Sequence, residues 1–318
     1  MAYNNQINHT TKKTALQDVD KQGKERPWRK KKAGSLAVAD SFERIGKEAK
    51  AGRMRECGDY LVFSIDEDGG KKLRIASFCQ QRLCVMCSWM RSRKVFAQVS
   101  RVMDAVDEAG GYEALFLTLT LRNCEGDGLA DALDIIFGAW NKIWCNKRLK
   151  RIYAGWFRAL EVTYSKKDGT YHPHVHAVLV VEKGYFKGKD YMCTRDWVAL
   201  WRKALGLDYD PVCDVRKVKR DGSRKIVAEV AKYTVKDTEY VVKDKEKMDS
   251  IVAVLSDALH GRRLYAFGGL MKEVAKRIDA ESLDIASDVR EDISEMLVER
   301  YRWDYGLSNY FSMAKGEW

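Results

Sequence analysis

Two β-prone runs, Trp156-Phe-Arg-Ala-Leu-Glu-Val-Thr-Tyr164 and Tyr171-His-Pro-His-Val-His-Ala-Val-Leu-Val-Val181, flank a polar loop with Asp168-Gly169 at its tip. This arrangement predicts a β-hairpin, which commits the middle of the chain to an antiparallel sheet. The second run holds three of the chain's five histidines. Side chains alternate faces along a strand, so His174 and His176 project from one side and can grip one cation, anchored by the apolar run that follows. If Asp168-Gly169 forms a two-residue turn, Glu161 lies opposite His176. If the loop runs from Ser165 to Thr170, Glu161 lies opposite His174. Both registers put this carboxylate on the imidazole face. An isolated HxH is more often an exposed strand with scattered imidazoles, so the rest of the chain has to decide.

At 318 residues the chain can bury a sizeable core in one large or two smaller domains. No stretch approaches the roughly 18 uncharged apolar residues of a membrane span, and the polar start Met1-Ala-Tyr-Asn-Asn lacks the apolar core of a secretory signal. A cytoplasmic protein without a membrane partner is expected. The 57 Lys and Arg against 46 Asp and Glu leave a net charge of +11, which favours a polyanionic partner, nucleic acid first.

Four segments are expected. Residues 1–50 read as a basic, disordered arm, with seven basic residues between Lys21 and Lys32 against Glu25 alone. Residues 51–95 read as a zinc-binding element built on a hairpin, Tyr60–Ile65 and Leu73–Ala76, joined by the turn residues Asp66 to Gly70. Residues 96–245 read as a sheet-based domain around the histidine hairpin and 246–318 as a helical C-terminal region, helical above all from Asp249 to Tyr301.

Within the central segment, Val95, Phe96, Val99, Val102, Met103 and Val106 recur at helical spacing, and Gly110-Gly111 ends a helix from about Ser88 to Ala109. Ala114 to Leu121 reads as a strand. A second helix places Leu129, Leu133, Ile136, Phe137, Trp140, Ile143 and Trp144 on one face. Thr194 is expected to cap a helix through Leu205, Pro211 to Val218 reads as a strand, and Ser223 begins a helix with Ile226, Val227, Val230 and Tyr233. The order of elements predicts an α+β fold with an antiparallel sheet and flanking helices.

Cys57, Cys79, Cys84 and Cys87 fall within 31 residues of turn-rich sequence, the last two as a CxxC knuckle. Two hairpin arms could bring these thiolates into a tetrahedron around a structural Zn²⁺, which needs no other ligand in a Cys₄ set. Cys124, Cys145, Cys193 and Cys213 are scattered and read as small packing residues.

Two neutral imidazoles and one carboxylate form an open set suited to Mn²⁺ or Mg²⁺, with positions left for phosphate oxygens. In Glu229-Val-Ala-Lys-Tyr233-Thr-Val-Lys236-Asp237 a carboxylate and a phenol stand four residues apart, on one helical face, with Lys236 three residues beyond. A phenol with a pKa near 10 is a poor nucleophile at neutral pH and needs a base, a cation or an activated phosphate to react. Glu229, Lys236 and the ion could supply these.

Phe116-Leu-Thr-Leu-Thr120, His172-Pro-His-Val-His176 and Glu229-Val-Ala-Lys-Tyr233-Thr-Val-Lys236-Asp237 resemble, in order, the three motifs of the Rep initiators of rolling-circle plasmids, which belong to the HUH endonucleases. Cys79-Gln-Gln-Arg-Leu-Cys-Val-Met-Cys87 and Leu259-His-Gly-Arg-Arg263 with Gly268-Gly-Leu270 are also similar to this family, so the likeness spans roughly residues 55 to 275. The family's usual Pro after the first knuckle cysteine is replaced here by Val85.

The resemblance implies that residues 96–245 form a sheet-based HUH nuclease domain in which His174 and His176 hold a divalent ion, with Glu161 as a weaker third ligand. It implies that Tyr233 attacks one phosphodiester at the double-strand origin and joins its 5′ end, freeing a 3′ hydroxyl, and that Glu229 later activates water. Origin DNA, single-stranded at the nick, a host helicase and a DNA polymerase are the implied partners, with a homodimer also considered. No G-x-x-x-x-G-K-[ST] loop is present, so strand separation falls to a separate helicase. Arg216, Lys217, Lys219, Arg220, Arg224 and Lys225 are expected to hold the DNA backbone. A relaxase or single-strand transposase of the same chemistry is one alternative. A non-catalytic, zinc-containing DNA-binding regulator is another.

Overall fold

The computed structural model describes residues 13–218, 227–228, 231, 236–282, 288–290, 292–294 and 296–313. Two five-stranded antiparallel sheets organise them, bearing out the α+β expectation. The first has the order β10-β9-β1-β2-β8, and the second β6-β3-β5-β4-β7. In the first, the hairpin β1 (Tyr60–Ile65) and β2 (Lys71–Ser77) turns where expected, with Asp66 N–H donating to the Gly70 carbonyl at 3.0 Å.

The hairpin is not a free-standing element. β9 (Val298–Asp304) pairs along β1, β10 (Asn309–Ser312) pairs with β9, and β8 (Asp288–Arg290) extends β2. The helical reading of Asp249 to Tyr301 therefore holds only in part. Two helices occupy Lys245–Ala258 and Leu270–Arg277, but a strand lies between them and the last stretch returns to the hairpin. In β9, Tyr301 and Trp303 are buried while Arg300 and Arg302 alternate with them, a period of two that suits a half-buried strand.

Part of the expected basic arm is structured as well. Leu16 N–H donates to the Tyr310 carbonyl at 3.0 Å, and helix α1 (Trp28–Arg44) buries Trp28, Lys32, Ser35, Val38, Ala39 and Phe42. Trp28 packs edge-on against Phe63 of β1 at 5.5 Å and Trp89 at 4.7 Å. Each such aromatic pair adds about 0.5–1.5 kcal/mol beyond its buried area. Composition pointed to disorder because the lysines dominate it, while their stems cover apolar surface. A short α2 (Glu48–Arg55) follows.

Helix α3 (Val85–Ala109) ends at Gly110 (φ 69°), where the left-handed region favours glycine. The second sheet comprises β3 (Tyr112–Thr120), β4 (Tyr153–Tyr164), β5 (Tyr171–Glu182), β6 (Cys213–Val218) and β7 (Tyr265–Gly269). Helix α4 (Leu129–Ile143) lies against the sheet face opposite the imidazoles, its Trp140 meeting Trp156 at 5.2 Å. A short α5 (Lys147–Ile152) leads into β4, and α6 (Thr194–Leu205) packs on α4. The cap of α6 is Cys193, not Thr194: Cys193 stands in extended backbone and its N–H donates to Asp196 Oδ2 at 3.1 Å. The chain continues through α7 (Asp237–Tyr240), α8 (Lys245–Ala258) and α9 (Leu270–Arg277).

Close packing accounts for Gly268 and Gly269 at the end of β7. A Cβ on Gly268 would stand 2.2 Å from the Trp156 ring, and one on Gly269 (φ 55°) 2.4 Å from the Ala154 carbonyl oxygen. Any larger residue would push this edge strand off β4. No helix among the described residues is long and apolar enough to cross a membrane.

Candidate metal centres and the family they identify

The hairpin of β4 and β5 takes the longer-loop register: Glu161 pairs with His174, Ala159 with His176, and Tyr164 with Tyr171. Ser165 N–H donates to the Thr170 carbonyl at 2.9 Å, and Gly169 (φ 77°) sits at the tip. The alternation then does the rest. Glu161, His174 and His176 share a face and all are buried, at 5, 8 and 7% exposure. Glu161 Oε2 lies 2.9 Å from His176 Nε2 and 3.4 Å from His174 Nε2.

Hydrogen bonds orient both rings. His174 Nδ1 stands 3.2 Å from the His172 carbonyl, and that oxygen can only accept. A proton on Nδ1 satisfies that oxygen and holds the ring with Nε2 turned toward Glu161. His176 Nδ1 is 3.0 Å from Thr118 Oγ1 on β3, and its ring stacks on Phe116 at 5.5 Å. Burial alone would raise the Glu161 carboxyl, but hydrogen bonds from the two imidazoles, with their charge, hold it well below the usual carboxylate range. A buried anion against two Nε2 atoms, all three donor atoms within 4.8 Å, is compatible with a divalent cation. His172 shares this face, with its ring 5.3 Å from that of His174, but it stands outside the three-residue set.

The cysteine cluster is equally well formed. Cys57 follows α2, Cys79 follows β2, Cys84 caps α3, and Cys87 lies in the first turn of α3. Their Sγ atoms stand 3.4 Å (Cys57–Cys87), 3.5 Å (Cys57–Cys84) and 3.6 Å (Cys79–Cys87) apart. A tetrahedron with metal–sulfur bonds of about 2.3 Å has edges of about 3.8 Å, so these edges need to lengthen only slightly to receive the metal. The ligands therefore come from the base of the hairpin and the start of α3, not from two hairpin arms. Gln80 at φ 58° and Gly58 at φ 63° turn the chain beside the sulfurs. Burial opposes charge on Cys84, yet hydrogen bonds from Cys57, Cys79, Cys87 and Ser35 pull its thiol well below the usual cysteine value. The other four cysteines stand apart from this set, and Cys145 is exposed.

Helix α1 braces this cluster, which sequence reasoning did not anticipate. Lys32, fully buried, donates to the carbonyls of Arg55 at 2.5 Å and Cys57 at 3.0 Å. Ser35 Oγ lies 3.3 Å from Cys84 Sγ. One residue before Lys32, Lys31 donates to Asp237 Oδ2 at 2.7 Å.

Of the expected reacting residues, Glu229 and Tyr233 lie outside the described residues, as do Lys219, Arg220, Arg224 and Lys225. Their flanks are described. The Ala231 carbonyl accepts from Ser92 Oγ of α3 at 2.7 Å, and Ala231 N–H donates to the Val227 carbonyl at 2.9 Å, the i to i−4 bond of a helix. Lys236 Nζ stands 3.7 Å from Glu161 Oε1, and Glu239 accepts from the Tyr164 N–H at 2.9 Å.

The basic residues on β6 divide by strand parity. Arg216 lies over Phe116, hence on the imidazole face, with Asp214 as its ion-pair partner. Lys217 points to the opposite face, bound to Glu113 at 2.5 Å and set over Phe186, so it faces away from the imidazoles.

A family model described as "Replication protein" matches residues 70–311, which contain the whole second sheet, the histidine site and three of the four clustered cysteines. This chain belongs to that replication protein family. The match bears out the resemblance drawn from the motifs.

The chain is 35% identical to "Protein rep" of Bacillus amyloliquefaciens over 93% of its own length and 96% of the relative's. It is 34% identical to "Protein rep" of Streptococcus pneumoniae serotype 2 (strain D39 / NCTC 7466), with 95% and 96% covered. For "Protein rep" of Lentilactobacillus hilgardii the identity is 36%, with 94% and 99% covered. No solved structure matches.

Proposed function

We propose that this chain is a plasmid rolling-circle replication initiator that nicks and rejoins DNA at the double-strand origin through a 5′-phosphotyrosine. The observation that carries the reading is the buried Glu161–His174–His176 set facing Lys236, inside a chain of the replication protein family. His174 and His176, with Glu161, would hold Mn²⁺ or Mg²⁺, and Cys57, Cys79, Cys84 and Cys87 would hold Zn²⁺. When bound, the divalent ion would offset negative charge on the scissile phosphate.

Tyr233 is the nucleophile in this reading. Its hydroxyl gives up a proton, its oxygen bonds to phosphorus, and the 3′ oxygen leaves and is protonated, freeing a primer end. Lys236 follows it by three positions, and three residue steps reach at most about 11 Å along the backbone. Its attachment points, Ala231 and Lys236, are tied to α3 and to Glu161 respectively. The Lys236 ammonium would favour the phenolate and the anionic phosphate alike. Glu229, four residues before Tyr233 in the sequence, would take the proton from water when the ester is hydrolysed at termination. No nucleotide cofactor is needed, because one phosphodiester is exchanged for another.

The test is nicking of supercoiled plasmid carrying the cognate origin, with Mn²⁺ and with chelator. Nicked circles bearing protein at the 5′ side are expected with metal. Because a chelator also reaches the cysteine site, the His176→Gln protein is the sharper arm. It keeps a hydrogen-bonding partner for buried Glu161, whose isolation would cost about 3–5 kcal/mol. It is expected to lose at least about a hundredfold in nicking rate at unchanged zinc content. Full nicking by this variant, or binding without any nicking in the wild type, overturns the reading; the second result favours a DNA-binding regulator.

A further inference from the structure

The run Leu259-His-Gly-Arg-Arg263 takes no part in either metal centre. It leads into β7, the edge strand of the second sheet, and lines a cavity of about 430 Å³ with Arg82 from the cysteine knuckle, Arg91 from α3 and Lys272 from α9. Five cationic side chains, Arg82, Arg91, Arg262, Arg263 and Lys272, face this cavity against one lining carboxylate, Glu281. Arg262 is committed to Asp134, through Nη1 to Oδ1 and Nη2 to Oδ2. Arg263 and Lys272 are exposed, and neither takes part in an ion pair among the described residues.

The walls carry charge too. Arg91 is only 4% exposed and donates to the Gln80 carbonyl at 3.2 Å. Behind β7, Arg158 is 8% exposed, lies over Phe137 and donates from Nη1 to the Arg263 carbonyl at 3.2 Å, while its Nε has no partner. Burial and the neighbouring Arg263 charge push Arg158 down to about 10, still cationic at neutral pH. Five cationic side chains gathered around one cavity repel one another, and a phosphate held among them offsets that repulsion. Guanidinium forks suit phosphate oxygens.

The cavity adjoins the histidine site. Ala159 pairs with His176 on one side and with Tyr265, a lining residue, on the other. Two strand spacings separate the backbones of His176 and Tyr265, about 10 Å, and both side chains stand on the imidazole face.

We propose that this cavity is a second phosphate site, in which Arg82, Arg91, Arg263 and Lys272 hold the phosphodiester backbone of the single strand whose scissile linkage faces His174 and His176. The choice of DNA as occupant rests on the initiator reading. The site joins the cysteine knuckle to the sheet edge, so one DNA strand bridges the two metal-binding regions.

The test uses the full chain and its Arg263→Ala/Lys272→Ala variant, with Arg263→Lys as a charge-retaining control. Anisotropy of an origin single strand is followed across salt concentrations without added divalent metal. Loss of two phosphate contacts is expected to weaken binding about tenfold or more and to flatten the log–log salt slope by about 1.4. Arg263→Lys is expected to keep most of the slope. A single neutral methylphosphonate outside the cut linkage should weaken the wild type and leave the double variant unaffected.

Equal affinity and slope in the double variant overturn the site while leaving the initiator reading intact. Unchanged DNA affinity with lost binding of inorganic phosphate marks a small-anion site and overturns the DNA assignment. A wild type that holds no single strand overturns both this site and the reading on which it rests.

Discussion

The Tyr233→Phe protein is expected to leave origin plasmid supercoiled and to form no covalent adduct, a loss on the order of 10⁴-fold or more, as with other nucleophile deletions. The substitution removes one oxygen and keeps the ring, so packing survives while the atom that bonds to phosphorus is gone. Binding to the origin strand should persist, since the cations around the site are untouched. Glu229→Ala separates the two halves of the cycle: the first cleavage should remain, and hydrolytic release should fall. A Phe variant that still nicks and attaches places the nucleophile elsewhere. Equal loss of both steps in the Glu229 variant removes its assignment as the base for water.

The second large effect concerns the cysteines. Metal analysis of the purified chain is expected to find about one zinc, and Cys84→Ser to lose it together with soluble protein. Structural zinc contributes about 10–16 kcal/mol in small domains, comparable with the whole stability of a typical fold at about 5–15 kcal/mol. Cys84 is fully buried, caps α3 and touches Ser35 of α1, so its loss loosens several elements together. The damage should extend to nicking, because the same region holds the segment around Tyr233. Lys31 binds Asp237, Ser92 binds the Ala231 carbonyl, and Tyr240 donates to the Leu83 carbonyl at 3.2 Å. Exposed Cys145→Ser is the matched control and should change neither property. Metal-free protein that folds and nicks normally would sink the claim.

Much of the histidine site was legible because it depends on short-range periodicity. A strand that alternates faces must present His174 and His176 together, and the polar loop between two β-prone runs must bring Glu161 to their face. The end of α3 at Gly110 was legible for the same reason, since helical spacing and a terminal glycine are local, whereas its start at Val85 rather than Ser88 draws Cys87 into the first turn. Charge-rich stretches misled in both directions. The lysines of α1 concealed a buried face, and the arginines of β9 concealed a strand whose Tyr301 and Trp303 face the core.

The amino-acid sequence determined on its own that a pair of imidazoles would share one strand face, that four thiols would lie close in the chain, and that the protein would carry a net charge of +11. Tertiary structure alone decided which imidazole Glu161 pairs with, that C-terminal strands complete the first sheet, that α1 braces the cysteines, and that arginines from two distant stretches of the chain converge beside β7. The reason is physical. Periodicity is written residue by residue, whereas register, strand order and cavity walls follow from how loops close and how the core packs between segments two hundred residues apart.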